Sequence, residues 1–477
     1  MKNKKIINVK NICCIGAGYV GGPTMAVLAL NNPKLKVTVV DINKQKIDAW
    51  NSKNLDNLPI YEPGLRQIIK KIRDVNLFFS SNIEMSIKDA DIVFISVNTP
   101  TKQKGFGAGF ASDLKWVESS TRQVARYSQG HTIVVEKSTL PVKTAQTIKS
   151  ILQAYELKGG IKDSIKSFDI LSNPEFLAEG TAINDLQKPD RVLIGGDNEN
   201  AIITLKKIYL NWVDNKKILT TDLWSSELSK LISNAFLAQR ISSINSISAL
   251  CEVTEANINN VSKAIGMDKR IGSYFLESGP GFGGSCFKKD ISNLIYICKH
   301  YGLNEVASYW ESVISINQWQ QKRISKIIVE KLFGNLSDKK IAILGFAFKS
   351  NTNDTRESPS INICESLLEE GCNLSIYDPK VNFEQIESEL YLSDRDKGLS
   401  SEKNWVKSDD IYESANDADA IVLLTDWEEF SDLDLKRLFN IMKYPCWIFD
   451  TRNMIDLFDA KKAGFKIWQL GNGIKLN

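Results

Sequence analysis

The sequence predicts an α/β protein: two Rossmann-like, doubly wound parallel-sheet domains joined by a central helical domain with a long connecting helix. Three observations predict it. A buried-strand pattern, Ile12-Cys13-Cys14-Ile15, runs into Gly16-Ala17-Gly18-Tyr19-Val20-Gly21 and then a small apolar helix. From Ser225 the apolar period becomes helical. After Lys339-Lys340 the strand-then-helix order returns. The length, 477 residues, agrees with three domains of about 150 residues each. Their expected bounds are 1–222, 223–334 and 335–477.

In the first third, the glycines of the turn have the spacing for a tight bend, close approach of a pyrophosphate and close helix–strand packing. Pro23 to Leu30 continues as the helix. Val37-Thr38-Val39-Val40 is the second strand. It ends at Asp41, where a carboxylate meets a ribose diol and repels a 2′-phosphate, so NAD is expected over NADP. Lys46 is placed near the adenosine end. The bland alternative is a glycine-rich turn in some other α/β domain. Further strands are expected at Asp91–Val97, His131–Glu136, Phe168–Ser172 and Arg191–Gly195, the last one closing the sheet. Lys102–Phe110 is a glycine-rich loop and Asp113–Tyr127 a helix. Lys137-Ser138-Thr139 falls at the strand end where open parallel sheets gather ligand groups. His131, at the other end of that strand, reads as structural. Glu175 and Glu179, in Ser172-Asn173-Pro174-Glu175-Phe176-Leu177-Ala178-Glu179-Gly180, read equally as site carboxylates or helix-start acids.

The middle region opens with a long helix through Glu227, Lys230, Leu231, Asn234, Leu237 and Ala238 to Leu250. Lys230 and Asn234 share one face. From spacing alone, an exposed lysine and a surface asparagine are the favoured reading. Next comes Gly279-Pro280-Gly281-Phe282-Gly283-Gly284-Ser285-Cys286-Phe287-Lys288-Lys289-Asp290. So many glycines suit backbone that lines a ligand, not a helix interior. Cys286 leaves that loop at a helix start, which favours negative charge on sulfur, and Asp290 lies one turn on. Against a small buried cysteine stands the upstream dinucleotide signature. A thiol can trap an aldehyde and hold it for a second oxidation. The helix continues from Ile291 to His300, where His300 reads as a polar end cap. Asn304–Lys331 is a second long helix.

In the last third, Ile341–Gly345, Leu374–Pro379, Ala420–Thr425 and Trp447–Asp450 read as strands, with a helix after Pro359 through Leu368. The first turn, Phe346-Ala347-Phe348-Lys349, lacks the glycine fingerprint, so a nucleotide-type fold without ordinary dinucleotide binding is expected. Lys349, Arg356 and Arg452 stand at or near strand ends, suited to phosphate or carboxylate. Lys397–Ser408 reads as a polar variable loop.

Composition is that of a globular protein, 43% hydrophobic and 25% charged. A net charge of +3 without basic blocks argues against nucleic-acid binding. No secretory signal and no apolar run long enough for a membrane span are expected. Eight cysteines without regular spacing do not make a disulfide scaffold, and a reducing, cytoplasmic setting is expected. Two histidines leave little room for His-based metal sites or Ser-His-Asp chemistry, so no metal is expected.

Taken in order, these motifs resemble the UDP-glucose/GDP-mannose dehydrogenase family, in its UDP-glucose 6-dehydrogenase branch of animal and plant type. The resemblance covers Ile12 to Arg452. It includes Glu227-Leu228-Ser229-Lys230-Leu231, Asn234-Ala235-Phe236, Gly345-Phe346-Ala347-Phe348-Lys349 and Asp354-Thr355-Arg356-Glu357-Ser358. Phe236-Leu237-Ala238-Gln239-Arg240-Ile241 carries the animal and plant character. The resemblance implies NAD-dependent, four-electron oxidation of UDP-glucose to UDP-glucuronate. Cys286 would form a thiohemiacetal and then a thioester. Lys230 would assist deprotonation or stabilise oxygen charge, with Asn234 beside it. Asp290 and Thr139 would hold or activate water, and Glu175 would assist hydrolysis. The NAD side would comprise Gly16, Gly18, Tyr19, Val20, Gly21, Asp41, Lys46, Ser138, Thr139, Glu179, Ser285 and Arg356. The sugar-nucleotide side would comprise Glu175, Phe176, Leu177, Lys230, Asn234, Phe275, Phe282, Gly283, Cys286, Phe348, Lys349 and Arg452. Arg270 would reach a neighbouring subunit's substrate, which implies a homo-oligomer, at least a dimer and often a hexamer. Glu277 and Lys288 depart from residues common in the family. The alternatives are a dehydrogenase of GDP-mannose or a UDP-N-acetylhexosamine, a two-electron NAD-dependent dehydrogenase that needs no Cys286, and a non-enzymatic NAD binder.

Overall fold

A computed structural model of the chain describes residues 8–105, 107–138, 144–158, 166–397 and 404–473. The chain forms two compact units, Met1–Ser233 with Ser292–His300, and Asn234–Ile291 with Tyr301–Asn477.

Among the described residues, the first unit is built on eight strands: β1 (Asn11–Ile15), β2 (Lys36–Val40), β3 (Leu77–Ser80), β4 (Ile92–Ile95), β5 (His131–Glu136), β6 (Ser167–Ser172), β7 (Val192–Gly196) and β8 (Ile218–Thr221). Their order is β3-β2-β1-β4-β5-β6-β7-β8. The chain winds outward in both directions from β1. The turns after β1 and β4 therefore diverge and leave a crevice at their C-terminal ends. Parallel strands covered on both faces need continuous apolar runs. Cys13, Cys14, Val93, Phe94, Ile133, Val134 and Val135 supply them and are fully buried. Helix Gly21–Asn31 is buried nearly all round, from Gly21 to Ala29, as its small residues allow.

The expectation that Arg191–Gly195 closes this sheet is corrected. β7 runs antiparallel to β6, with Leu171 opposite Gly196, and β8 pairs beyond it in parallel. The segment Lys397–Ser408 is also not wholly loop, since Trp405–Lys407 forms β11 against the next strand of its sheet. Helix Asp113–Tyr127 begins at Lys115. The strands that the apolar pattern does not mark, β3, β8, β11 and β14 (Lys466–Gln469), all lie at sheet edges. An edge strand is covered on fewer sides and needs no long apolar run: β3 holds only Leu77-Phe78-Phe79, and in β8 only Ile218 is buried.

The second unit holds β9 (Lys340–Leu344), β10 (Asn373–Tyr377), β11, β12 (Ala420–Leu423), β13 (Trp447–Asp450) and β14. Their order, β11-β10-β9-β12-β13-β14, repeats the plan of the first six strands of the other sheet, here all parallel. Ser358 caps helix Pro359–Glu369 by accepting the Ser360 N–H, with proline in the first turn. The first turn of this sheet is filled by its own side chains. Asp378, just past β10, accepts N–H groups of Phe346 (2.8 Å) and Ala347 (3.0 Å) and the Trp427 indole (3.2 Å). Its other oxygen accepts from Lys380 and Val381. A Cβ on Gly345 would lie 2.4 Å from the Thr425 side chain.

The helical region comprises Leu223–Thr254 (32 residues), Ile258–Gly266, Phe287–His300 and Asn304–Lys331 (28 residues). Leu223–Thr254 begins in the first unit and ends in the second. Among the described residues no helix is long and apolar enough to cross a membrane.

Candidate active site

The glycine turn of the first unit divides its labour by space. Gly16 has φ +111°, and a Cβ there would lie 2.1 Å from the Ser96 carbonyl oxygen. A Cβ on Gly21 would lie 2.0 Å from the Gly16 carbonyl oxygen. Gly18 alone faces open space, with nothing within 4 Å of an added Cβ. Next to a helix N-terminus, that gap is a cradle for a phosphate. Asp41 is fixed at the end of β2: it accepts the N–H groups of Ala17 (3.0 Å) and Asn43 (2.9 Å). Lys46 pairs with it at 3.3 Å. Trp50 donates its indole N–H to the Ala17 carbonyl at 3.0 Å and stacks on Phe79. Tyr19 and Val20 stay half-buried at the helix start. The residues present therefore fit a dinucleotide. At the crevice end of β5, the Ser138 hydroxyl donates to the Val97 carbonyl at 2.8 Å. Thr139 lies outside the described residues.

Beside this turn stands a buried polar cluster centred on Lys137, at the strand end that the sequence marks for ligand groups. Its ammonium pairs with Glu175 at 2.9 Å and donates to Asn173 (3.2 Å) and Tyr209 (3.4 Å). Burial opposes the charge on Lys137, but the Glu175 carboxylate outweighs it and its pKa is raised. Burial likewise pushes Glu175 up, yet the Lys137 ammonium and the Phe176 N–H prevail and hold it below the ordinary carboxylate range. Glu175 also accepts from Leu177 N–H and the Thr24 hydroxyl. It is thus a firmly held anion that fixes the turn 175–177. The Arg191 guanidinium lies over the Phe176 ring at 3.9 Å and the Lys230 ammonium at 5.3 Å. Lys230 is only 7% exposed, so the surface reading that spacing favours is corrected; Asn234 is buried as well. Glu179 lies half-buried in the following turn, whose Gly180 and Ala182 N–H groups are held by the buried Glu62. His131 stands at the far end of β5, tied to Asp169 (3.0 Å) and Ser167 (2.7 Å), as a structural residue would be.

Glu136 and Glu227 form a second buried acidic feature. Apart from the Glu227 carboxyl, neither Glu136 oxygen has a hydrogen-bond partner among the described residues. Burial, then the nearby Glu227 charge and hydrogen bond, push Glu136 well above its ordinary pKa. Such a group binds its proton more tightly when folded. Its contribution to stability is complete in acid and is lost as pH rises from the ordinary carboxylate range through the folded pKa. Glu136→Gln, which keeps the neutral form at every pH, should unfold a few degrees above the parent at pH 8, with the gap closing toward pH 4. Thermal melts across that range check this, and a gap independent of pH would contradict it.

In the second unit, the glycine loop brings Cys286 to the start of helix Phe287–His300. Of the eight cysteines, Cys286 alone is exposed; burial drives Cys14 and Cys372 up to about 12. The Ser285 hydroxyl lies 3.6 Å from the Cys286 sulfur. Asp290, one turn on and 1% exposed, accepts a 2.6 Å hydrogen bond from Asn234. Phe282 is buried, edge-on to Phe287. Phe275 packs edge-on to the same ring. Gly283 is pressed against Phe348 and the Glu357 carbonyl, where a Cβ would lie within 2.8 Å of both. Gly284 donates to the Arg356 carbonyl at 2.9 Å, and the Arg356 guanidinium forks onto Asp354. Arg452, donating to the Leu424 carbonyl at 2.9 Å, packs against Gly279. Lys349 lies over the Phe348 ring at 5.5 Å. The structure thus gathers Cys286, Phe282, Gly283, Phe348, Arg356 and Arg452 around one loop.

Arg270 is not drawn into this group. Its guanidinium pairs with Asp268 at 2.6 Å and its side chain is 89% exposed. Arg240 donates to the carbonyls of Ile271, Gly272 and Tyr274 and braces the same loop. Glu277 is exposed, and Lys288 pairs with Glu357 at 2.7 Å. Among the described residues no His, Cys, Asp or Glu cluster is arranged to hold a metal.

Sequence motifs missed several residues that hold these groups in place. They include Asn317 and Gln320 of helix Asn304–Lys331, both buried against the cysteine loop. Their signal is amide side chains interrupting an otherwise apolar helix face.

Comparisons with known proteins find relatives along nearly the whole chain. Three family models match in series: the NAD binding domain of the UDP-glucose/GDP-mannose dehydrogenase family over residues 10–213, its central domain over 224–319 and its UDP binding domain over 342–457. The chain is 54% identical over 465 residues to a UDP-glucose 6-dehydrogenase of Drosophila melanogaster, covering 96% of each. It is 53% identical over 473 residues to UDP-glucose 6-dehydrogenase 1 of Glycine max, again covering 96% of each. Among solved structures, a UDP-glucose dehydrogenase from Pyrobaculum islandicum superposes with a TM-score of 0.82 at 28% identity, covering 98% of both chains.

Proposed function

Because the chain belongs to the UDP-glucose/GDP-mannose dehydrogenase family, we propose that it oxidises UDP-glucose at C6 to UDP-glucuronate, through a covalent bond to Cys286. The observation that carries the covalent step is the exposure of this one thiol, at a helix start, on a loop that its neighbours hold rigidly. NAD, when bound in the first unit, accepts a hydride in each of two oxidations.

The C6 alcohol first loses a hydride and a proton and becomes an aldehyde. The Cys286 sulfur then bonds to C6 while the aldehyde oxygen takes a proton, giving a thiohemiacetal. Loss of the second hydride from C6 and of the hydroxyl proton leaves a thioester. Water adds to that carbon, the carbon–sulfur bond breaks, and the sulfur departs with the bonding pair. One alcohol, one water and two NAD become one carboxylate, two NADH and three protons.

Lys230 serves as the buried cation that steadies developing negative charge on the C6 oxygen. Asp290, held by Asn234, orients the hydrolytic water, a task shared with Thr139. Glu175, a poor proton acceptor because Lys137 holds it ionised, keeps Phe176 and Leu177 in place against the sugar nucleotide. Gly16, Gly18, Tyr19, Val20, Gly21, Asp41, Lys46, Ser138, Thr139, Glu179, Ser285 and Arg356 serve the NAD side. Phe275, Phe282, Gly283, Phe348, Lys349 and Arg452 serve UDP-glucose, the two cations facing its diphosphate. Labour divides as 1–222 for NAD, 223–334 for catalysis and self-association, and 335–477 for the UDP-sugar. Arg270, projecting from the surface, serves the substrate of a neighbouring copy in a homo-oligomer of at least two chains. The enzyme works in the cytoplasm, which suits its unpaired cysteines.

Product identification with NADH counting tests this. Two NADH per UDP-glucuronate are expected. One NADH per turnover without acid would favour a two-electron dehydrogenase. Turnover of a UDP-N-acetylhexosamine or GDP-mannose but not UDP-glucose would reassign the sugar.

A further inference from the structure

The glycine run that delivers Cys286 has little side chain of its own with which to hold a shape. Its shape comes from amide groups on the two long helices, Leu223–Thr254 and Asn304–Lys331. Asn317 meets the backbone of Phe282 as a strand partner would. Its Oδ1 accepts the Phe282 N–H at 2.8 Å and its Nδ2 donates to the Phe282 carbonyl at 3.1 Å. Three residues further along the helix, Gln320 donates to the Gly279 carbonyl at 3.0 Å. From the opposite helix, Asn245 accepts the Gly279 N–H at 2.9 Å. Asn245, Asn317 and Gln320 are all buried, so water does not compete for these bonds. Between the two gripped residues, Gly281 adopts φ +134°, and a Cβ there would lie 2.7 Å from Asn317 Oδ1. The fit leaves no room for the loop to slide. Phe282, the residue that Asn317 grips, packs edge-on to Phe287, whose neighbour is Cys286.

We propose that Asn317 is a positioning residue for the Cys286 nucleophile, which it holds at the distance needed to capture the aldehyde before that aldehyde escapes. This rests on the dehydrogenase reading above. A double amide grip on one residue fixes both the height and the tilt of the loop, which a single hydrogen bond does not. A misplacement of about 1 Å costs on the order of 10²-fold in a reaction that needs aligned atoms. The first oxidation does not involve sulfur, so it is spared.

The test is Asn317→Leu, similar in volume but unable to make either bond, assayed with UDP-glucose and NAD in the presence of semicarbazide as an aldehyde trap. The expected result is acid formation reduced ~10–100-fold, with NADH still produced, semicarbazone accumulating and more than two NADH per acid. KM for NAD should be unchanged. Asn317→Asp keeps the acceptor for the Phe282 N–H but faces the Phe282 carbonyl with an oxygen, so it should leak aldehyde to the same sense. It also serves if the leucine variant does not fold. NADH and acid falling together at a ratio of two, or undiminished acid, would overturn the proposal. A parent protein that makes no acid would overturn the dehydrogenase reading and the inference with it.

Discussion

Cys286→Ser should lower UDP-glucuronate formation by at least ~10³-fold, because a hydroxyl at this position lacks both the nucleophilicity and the leaving ability of a thiolate. The variant should bind NAD as the parent does, since exchanging sulfur for oxygen at Cys286 leaves the Gly16–Gly21 turn and Asp41 untouched. Any residual product should be aldehyde or an ester that turns over slowly. Mass spectrometry of the quenched enzyme and NAD titration check the two halves of this prediction. A serine variant that makes acid at the parental rate would end the covalent mechanism. A companion measurement is alkylation of the native protein. Seven of the eight thiols are buried, so uptake of one equivalent of iodoacetamide should accompany complete inactivation.

The second large effect concerns stability. Lys137→Met should cost about 3–5 kcal/mol, because it leaves the Glu175 carboxylate buried without its ammonium partner. In a domain of this size that corresponds to a fall in Tm on the order of 10 °C. Glu175 titrates below its ordinary range in the folded chain. Its stabilising contribution is therefore present at neutral pH and is lost as pH falls through the folded pKa, so the penalty of Lys137→Met should shrink in acid. Adding Glu175→Leu should recover part of the loss, since two apolar groups tolerate burial better than one orphaned charge. Denaturant unfolding of the two single variants and the double variant measures this. Full additivity would show that the pair is not coupled.

What the sequence made legible and what it did not separate along physical lines. Gly16, Gly18 and Gly21 were readable because a phosphate-binding turn requires them close together in the chain, and Asp41 because it ends the next strand. Cys286 and Asp290 were readable for the same reason: the glycine run marks the loop, and one helical turn separates the pair. Central strands such as β4 announced themselves through continuous apolar runs, whereas the edge strands β8, β11 and β14 did not, and β3, with Leu77-Phe78-Phe79, was passed over as well. Lys137 was placed at the ligand end of its strand, but its pairing was not readable because its partners, Asn173, Glu175 and Tyr209, come from distant segments. Helical spacing placed Lys230 and Asn234 on one face but carried no information on whether that face meets water. Helix Leu223–Thr254 buries polar groups along with apolar ones, so the ordinary inference from polarity to exposure failed there. Asn317 and Gln320 look like surface amides until the loop that they grip is present.

The two sheets use one backbone plan and the same device, an aspartate past the second strand that holds the turn after the first. Asp41 leaves its turn open at Gly18, while Asp378 has spent every oxygen lone pair within reach on its own chain and on Trp427. For protein engineering, the vacant-looking second fold is therefore not a spare cofactor socket. Carving one would mean removing Phe346, Thr425 and Trp427 together and leaving a buried carboxylate to find new donors, so cofactor number in this chain is set by side-chain occupancy and not by topology.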